Sequence, residues 1–248
     1  MTFIACGLCA YSYADDGSKL WFGNPVNCNA VISVPAKASA TIEIARKELA
    51  TAWKGDTVTL KRKSVKGMKR DAYTIQIKDG KVSISSPSDI GLLYGAYRLL
   101  QLQTMNAVSK DMEVMESPFH DIRLLNHWDN LDGNSERGYA GKSIFWNVQP
   151  DGTNATAELH NNPLNNTMYA RANASLGING AVLNNVNASP KMLTDDVLQM
   201  ARQYADALRP YGIKVYLAVN FSSPVVLDGL KTADPLDKEV QRWWQQKA

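Results

Sequence analysis

The strongest constraint on this chain is the rhythm of its second half. Residues 122–126, 181–187 ("AVLNNVN") and 214–221 ("KVYLAVNF") are short runs, apolar over most of their length. Between them, apolar residues recur at helical spacing, first over 167–176 and then at Val197, Met200, Ala201, Tyr204 and Leu208. Thr194 is placed to cap that second helix, Asp195 and Asp196 fall in its first turn, and Pro210-Tyr211-Gly212 ends it. A last helix is expected after Asp234, with Pro235 at its first position. Strands apolar on both faces and alternating with helices imply right-handed parallel βα units, and three are expected. A doubly wound nucleotide-binding sheet would carry a G-x-G-x-x-G or Walker loop after a strand, and none follows these. A (β/α)8 barrel takes about 250 residues for its eight units. Residues 117–248 are therefore expected to supply only the first three, and the chain reads as cut off.

The first half has a different pattern. An apolar strand over 30–34 leads into a helical segment marked by Ile42, Ala45, Leu49 and Ala52, which stops at Gly55. Residues 57–60 alternate, and two more alternating runs flank Asp79-Gly80, a strong hairpin signal. Ser88 can cap the next helix, with Leu92, Leu93, Ala96, Leu99 and Leu100 on one face. The expected class is α/β: a small βαββα domain over 15–116, then the barrel units.

Apolar residues make up 45% and charged residues 21%, which is ordinary globular usage and excludes disordered and fibrous classes. A net charge of +3 gives no reason to expect a nucleic-acid partner, and the basic run "KRKSVKGMKR" reads as a solvated strand edge and loop. Residues 1–14, "MTFIACGLCAYSYA", resemble the apolar core and cleavage site of a signal peptide, without the charged start. Export, to the periplasm or outside the cell, is the expectation, with a lipoprotein reading at Cys6 left open. Removal of that leader takes Cys6 and Cys9 with it and leaves Cys28 alone, so no disulfide or cysteine metal cluster is expected. After the leader no stretch is long and apolar enough to span a bilayer, so no membrane partner is expected.

The chemistry is expected where the strands end. The first is followed by Asn126, His127, Trp128, Asp129 and Asn130; the second delivers Asn184, Asn185 and Asn187; the third delivers Asn220, Ser222 and Ser223. In a parallel barrel these C-terminal ends face substrate. Trp128 and Trp146 offer flat apolar faces, and amides and carboxylates offer paired donors and acceptors, a combination suited to a sugar ring with its C–H face and hydroxyl rim. Arg137 adds a fork for a carboxylate, or pairs with Glu136 or Asp132. His120, His127 and His160 lack metal-site spacing and read as structural, and Trp243-Trp244 reads as core or subunit contact.

Four segments in order, "RLLNHWDNLDGNSERGYAGKSIFW", "YARANASLGINGAVLNNVNA", "YGIKVYLAVNFSSP" and "TADPLDKEVQRWW", resemble the landmarks of the α-glucuronidases of glycoside hydrolase family 67. The resemblance covers most of residues 123–248, and the "DDGSKLW" start with the βαββα region is similar to the family's small N-terminal domain. It implies hydrolysis, with inversion, of α-1,2-linked glucuronic acid or its 4-O-methyl ether from xylan fragments. The implied partner is a small acidic xylooligosaccharide (an aldouronic acid), with no metal or organic cofactor; a homodimer of the full-length protein is left open. It also implies substrate-binding roles for Trp128, Asp129, Asn130, Glu136, Arg137, Trp146, Asn184, Asn185, Asn187 and Asn220. The family's acid and basic carboxylates lie beyond residue 248, so no catalytic residue is assigned and the chain alone is expected to be inactive. Asp129, Asp132 and Glu136 are placed at the rim as binding or loop-organising groups. The Asn-rich stretch 147–166 departs from the family as a surface insert. A non-catalytic carbohydrate-binding protein is the competing class, and an unrelated α/β nucleotide binder a third.

Overall fold

The computed structural model describes residues 30–64, 67–146 and 163–247. The expected leader, Cys28, His160 and most of the Asn-rich insert lie outside the described residues. The first layer is a five-stranded sheet in the order β1-β2-β4-β3-β5, formed by β1 (Val31–Ser33), β2 (Thr57–Arg62), β3 (Tyr73–Lys78), β4 (Lys81–Ser86) and β5 (Met112–Glu116). β1, β2 and β4 run parallel, and β3 is antiparallel to both β4 and β5. The hairpin turns at Asp79 and Gly80, both at positive φ (50° and 76°). β5 has no counterpart in the sequence reading, because "MEVME" alternates weakly between half-buried and exposed positions.

Two helices cover one face of this sheet, α1 (Ala40–Ala52) and α2 (Asp89–Thr104). Each starts on a serine: Ser39 Oγ accepts from Ile42 N at 3.3 Å, and Ser88 Oγ accepts from Gly91 N at 3.2 Å. α2 lies unusually close to β4. A Cβ at Gly91 would stand 2.0 Å from Ser86 Oγ, and one at Gly95 would stand 2.6 Å from Ile84 Cγ2, so glycine at both positions is a packing requirement.

The second sheet holds three parallel strands, β6 (Leu124–Asn126), β7 (Gly180–Val182) and β8 (Lys214–Tyr216), in that order. Helices α3 (Pro163–Ser175) and α4 (Asp195–Leu208) follow β6 and β7. Ala170, Ala181, Leu183, Ala201, Tyr204 and Ile213 share its buried core. Gly180 sits in the middle strand because a Cβ there would meet Leu124 Cβ at 2.8 Å.

Several expectations change. The first strand is three residues long and is half-buried to exposed, because β6 is a sheet edge with Ile122 and Leu125 open to solvent. The other two strands are equally short. Thr194 occupies the N-cap of α4, but its hydroxyl donates back to Lys191 O rather than capping. A short helix, α5 (Ser223–Asp228), follows the third strand, and the last helix, α6 (Lys238–Lys247), starts three residues later than expected, with Asp237 accepting from Glu239 N at 2.7 Å.

The two sheets are joined by polar groups as well as by packing. Arg171 on α3 makes a bidentate pair with Glu48 on α1, at 2.6 and 2.8 Å. Arg123, just before β6, reaches Asp71 at 2.9 Å, and Thr41 donates to Pro210 O at 2.6 Å. Among the described residues, no helix is long and apolar enough to cross a membrane.

Candidate functional site

The C-terminal ends of β6, β7 and β8 converge, and the loop after β6 is built around one carboxylate. Asp129 is buried; its Oδ2 accepts from Ser143 Oγ at 2.6 Å and from Ile144 N at 2.7 Å, and its Oδ1 accepts from Ser135 Oγ at 3.4 Å. Its carbonyl accepts from Asn185 N at 2.8 Å, which fastens the loop to the end of β7. The glycines of "DNLDGNSERGYAG" make the tight reversal possible: Gly133, Gly138 and Gly141 all have φ between 84° and 94°. Glu136 enters the same left-handed region at φ 55°, held by its N–H to Trp128 O and by Asn130 Nδ2 donating to its carbonyl. One of its carboxylate oxygens accepts from Tyr139 and the other is buried with no partner among the described residues.

The end of β7 is built on amides. Asn184 is buried; its Nδ2 donates to Ala218 O at 3.0 Å and to Asn185 O at 3.3 Å, and its Oδ1 accepts from Ala218 N at 2.9 Å. Asn185 Oδ1 accepts from Asn187 N at 2.9 Å, which turns the chain. Asn220, after β8, donates to Ala188 O at 2.9 Å and accepts from Ser222 N and Oγ.

The loops after β6 and β7 line a cleft of about 370 Å³. Of the residues expected from sequence, Asp129, Asn130, Asn184, Asn185 and Asn187 line it, with Asp132 beside them. Trp128, 42% exposed, Glu136, exposed Arg137 and Asn220 do not line it. Arg137 has no ion pair among the described residues. Trp146 is 1% exposed and donates its Nε1–H to Leu183 O at 2.7 Å, with its ring edge-on to Tyr204. An indole fixed there supports the cleft from behind and presents no face to a sugar in this arrangement. Asn184 likewise spends its polar atoms on backbone groups, and Asp129 spends its carboxylate on two serine hydroxyls and one backbone N–H.

Sequence reasoning missed Lys191, the one cation among the residues lining this cleft; it stands in a short 3-10 turn (Pro190–Leu193) beyond the strand end. It also missed Ser143, whose hydroxyl donates to Asp129 and accepts from Phe145 N and Trp146 N. "KSIFW" carries a Ser/Thr-turn signal that could have found it. His127 is structural as expected: Nε2 lies 2.8 Å from Tyr169 Oη, and the ring sits edge-on to Phe145. Burial pulls its pKa below the ordinary 6.5, with Asp129 opposing.

Residues 101–248 match the model of the glycosyl hydrolase family 67 middle domain. The chain is 40% identical to a probable α-glucuronidase A of Aspergillus clavatus over 71% of its own length, and 39% identical to an α-glucuronidase A of Emericella nidulans over 70%. It spans about 20% of the length of these curated relatives. Among solved structures it is similar to a family GH115 4-O-methyl-α-glucuronidase with specificity for decorated arabinogalactans (TM-score 0.56, 12% identity, 90% of this chain and 34% of that one). It is also similar to a GH138 enzyme targeting pectin rhamnogalacturonan II (TM-score 0.58, 12% identity, 88% of this chain and 28% of that one). At such identity these likenesses concern the fold.

Proposed function

The chain belongs to glycosyl hydrolase family 67, and from that membership we propose that it is part of an exported α-glucuronidase acting on xylan fragments. In this reading residues 1–14 are a leader, 15–116 an α/β domain, and 117–248 the first three units of a (β/α)8 barrel. The substrate is an aldouronic acid, from which α-1,2-linked glucuronic acid or its 4-O-methyl ether is released with inversion. Inversion needs a carboxylic acid at the leaving oxygen and a carboxylate base on the opposite face of the sugar, far enough away to admit a water.

The observation that carries the reading is the convergence of five expected polar residues on one cleft at the C-terminal ends of two neighbouring parallel strands, β6 and β7. Asp129 holds the rim in shape, since three donors already occupy its carboxylate. Asn130 and Asn187 offer amides to sugar hydroxyls. Lys191 supplies positive charge for the uronate, Trp128 an exposed indole outside the cleft, and Arg137, also outside it, an exposed guanidinium with no ion pair among the described residues. None of Asp129, Asp132 and Glu136 is assigned as acid or base. The occupied state of Asp129 also favours the second reading, in which this chain by itself binds carbohydrate without cleaving it.

The test is paired. The 248-residue chain is expected to bind glucuronic acid, more weakly after Lys191→Ala, and to release no 4-O-methylglucuronic acid from an aldouronic acid. Release by the chain alone would overturn the assignment of Asp129, Asp132 and Glu136 to non-catalytic roles.

A further inference from the structure

The helices α1 and α2 cover one face of the five-stranded sheet and leave the other open. Both stand between that sheet and the second layer, because Thr41, Glu48 and Gln101 reach from them to Pro210 O, Arg171 and Ser175 O. The opposite face therefore looks away from the second sheet, and among the described residues no helix packs on it.

Strand alternation decides what this face carries. Val58, Leu60, Ile75, Ile77, Val82 and Ile84 turn toward the helices and are buried. On the open side Ser33, Thr59, Ser83 and Gln76 stand in register, one on each of four neighbouring strands. At about 4.8 Å between strands, that row is ~14 Å long. Ser85 and Thr74 pair beside it. The hydroxyls of these Ser and Thr residues make no hydrogen bond among the described residues, and none is a buried unpartnered atom, so they meet solvent.

The charges flank the row. Lys78 and Lys81 form a direct cross-strand pair, both exposed, in which like charges repel. Exposed Lys61 stands opposite Ser85, four residues further along β4 than Lys81, or ~13 Å. None of the three has an ion pair among the described residues. Glu113 is the carboxylate of the same face, and it accepts from Gln76 Nε2 at 3.3 Å. Asp79 and Asp111 lie at the turn beyond the strands, where Asp111 accepts from Asp79 N. Arg62, next to Lys61, turns to the helix side and donates to Asp89 at 2.9 Å.

No aromatic side chain of the described strands stands on this face, so an undecorated polysaccharide finds no ring to stack on and a nucleic acid no platform for its bases. Lysines ~13 Å apart also suit sparse charges better than the one phosphate per ~1.7 Å of a duplex. A polymer with neutral hydroxyls and widely spaced carboxylates answers both features.

We propose that the open face of the first sheet docks an acidic polysaccharide, whose neutral main chain bears uronate branches. The Ser and Thr hydroxyls and the Gln76 amide bond to main-chain hydroxyls, while Lys61 and the Lys78–Lys81 pair meet carboxylates at the two ends of the row. That this polymer is glucuronoxylan rests on the α-glucuronidase reading; that it is acidic does not. The face would hold a decorated stretch of polymer while the strand-end cleft receives a single uronate.

The probes are glucuronoxylan, the same polymer with its carboxyl groups reduced to alcohols, and a DNA duplex, titrated calorimetrically into the full chain, Lys191→Ala, and the double variant Lys78→Gln with Lys81→Gln. The double variant is expected to bind glucuronoxylan about tenfold more weakly, or ~1.4 kcal/mol, and to bind glucuronic acid unchanged. Added salt should weaken the parent more than the double variant. Its Tm is expected to hold or rise, since two opposed charges are removed. The proposal is overturned if the reduced polymer binds as tightly, if the duplex binds more tightly than glucuronoxylan, or if the double variant keeps full affinity. Polymer binding that Lys191→Ala abolishes and the double variant leaves intact would place the polymer in the cleft and overturn the proposal. Lysine-dependent glucuronoxylan binding with no glucuronic acid binding would support this face while removing the proposed function of the cleft.

Discussion

Asn184 pairs with Ala218 through its side chain as a strand residue would through its backbone. The amide donates to Ala218 O at 3.0 Å and accepts from Ala218 N at 2.9 Å, extending the contact between the second and third strands beyond Val182 and Tyr216. Asn184→Ala would leave both backbone groups of Ala218 without these partners. Loss of about 2–4 kcal/mol is expected in urea unfolding, two half-buried partners at about 1–3 each less some rescue by water. Asn184→Asp should be as damaging, because the carboxylate cannot donate to Ala218 O.

Asp129 is expected to act on binding through shape. Asp129→Ala removes the acceptor for Ser143 Oγ and Ile144 N, so the amide of Ile144 should exchange with deuterium much faster and glucuronic acid binding should fall. Unchanged exchange with lost binding would instead mark the carboxylate as a direct ligand.

Gly91→Ala tests how closely α2 rests on β4. The added methyl would stand 2.0 Å from Ser86 Oγ and 2.7 Å from Ala72 O. Helix propensity alone favours alanine by about 1 kcal/mol, whereas overpacking costs about 1–3. A fall in Tm is expected; a rise would mean that the helix can lift without penalty.

Acid should loosen the second sheet before the carboxylates titrate. His127 has its pKa lowered by burial, so the unfolded chain takes up its proton first. The stability that neutral His127 contributes is present above about 6.5 and is lost as pH falls below it. Unfolding free energy should therefore decline from pH 7 to 5, and His127→Gln should flatten that slope.

Elements with a strong local signature were legible from the sequence. Alternation around Asp79-Gly80 identified a hairpin, and Ser88 stands at a helix start as expected because its hydroxyl has a nearby N–H to satisfy; Ser39, which does the same for the first helix, was not singled out. Strand ends were not legible. "AVLNNVN" reads as continuous strand, yet the ladder stops at Val182 and a side-chain amide takes over, a substitution that leaves no trace in polarity. The inward turn of Trp146 was equally hidden, since an indole beside a glycine-rich loop fits a sugar platform or a core. Its hydrogen bond to Leu183 O, 37 residues away, decides for the core. Lys191 escaped because it reaches the cleft from a turn beyond the strand whose end was searched.

The bidentate contact of Arg171 with Glu48 spans 123 positions of chain and fastens one sheet's helix to the other's. A chimera that takes residues 30–116 from one homologue and the remainder from another inherits the two halves of that pair from different parents. If the partner parent lacks the arginine, Glu48 is left buried and uncompensated, at a cost of about 3–5 kcal/mol. Recombination between relatives is therefore constrained at a position far from any sugar, and the two halves should be exchanged together.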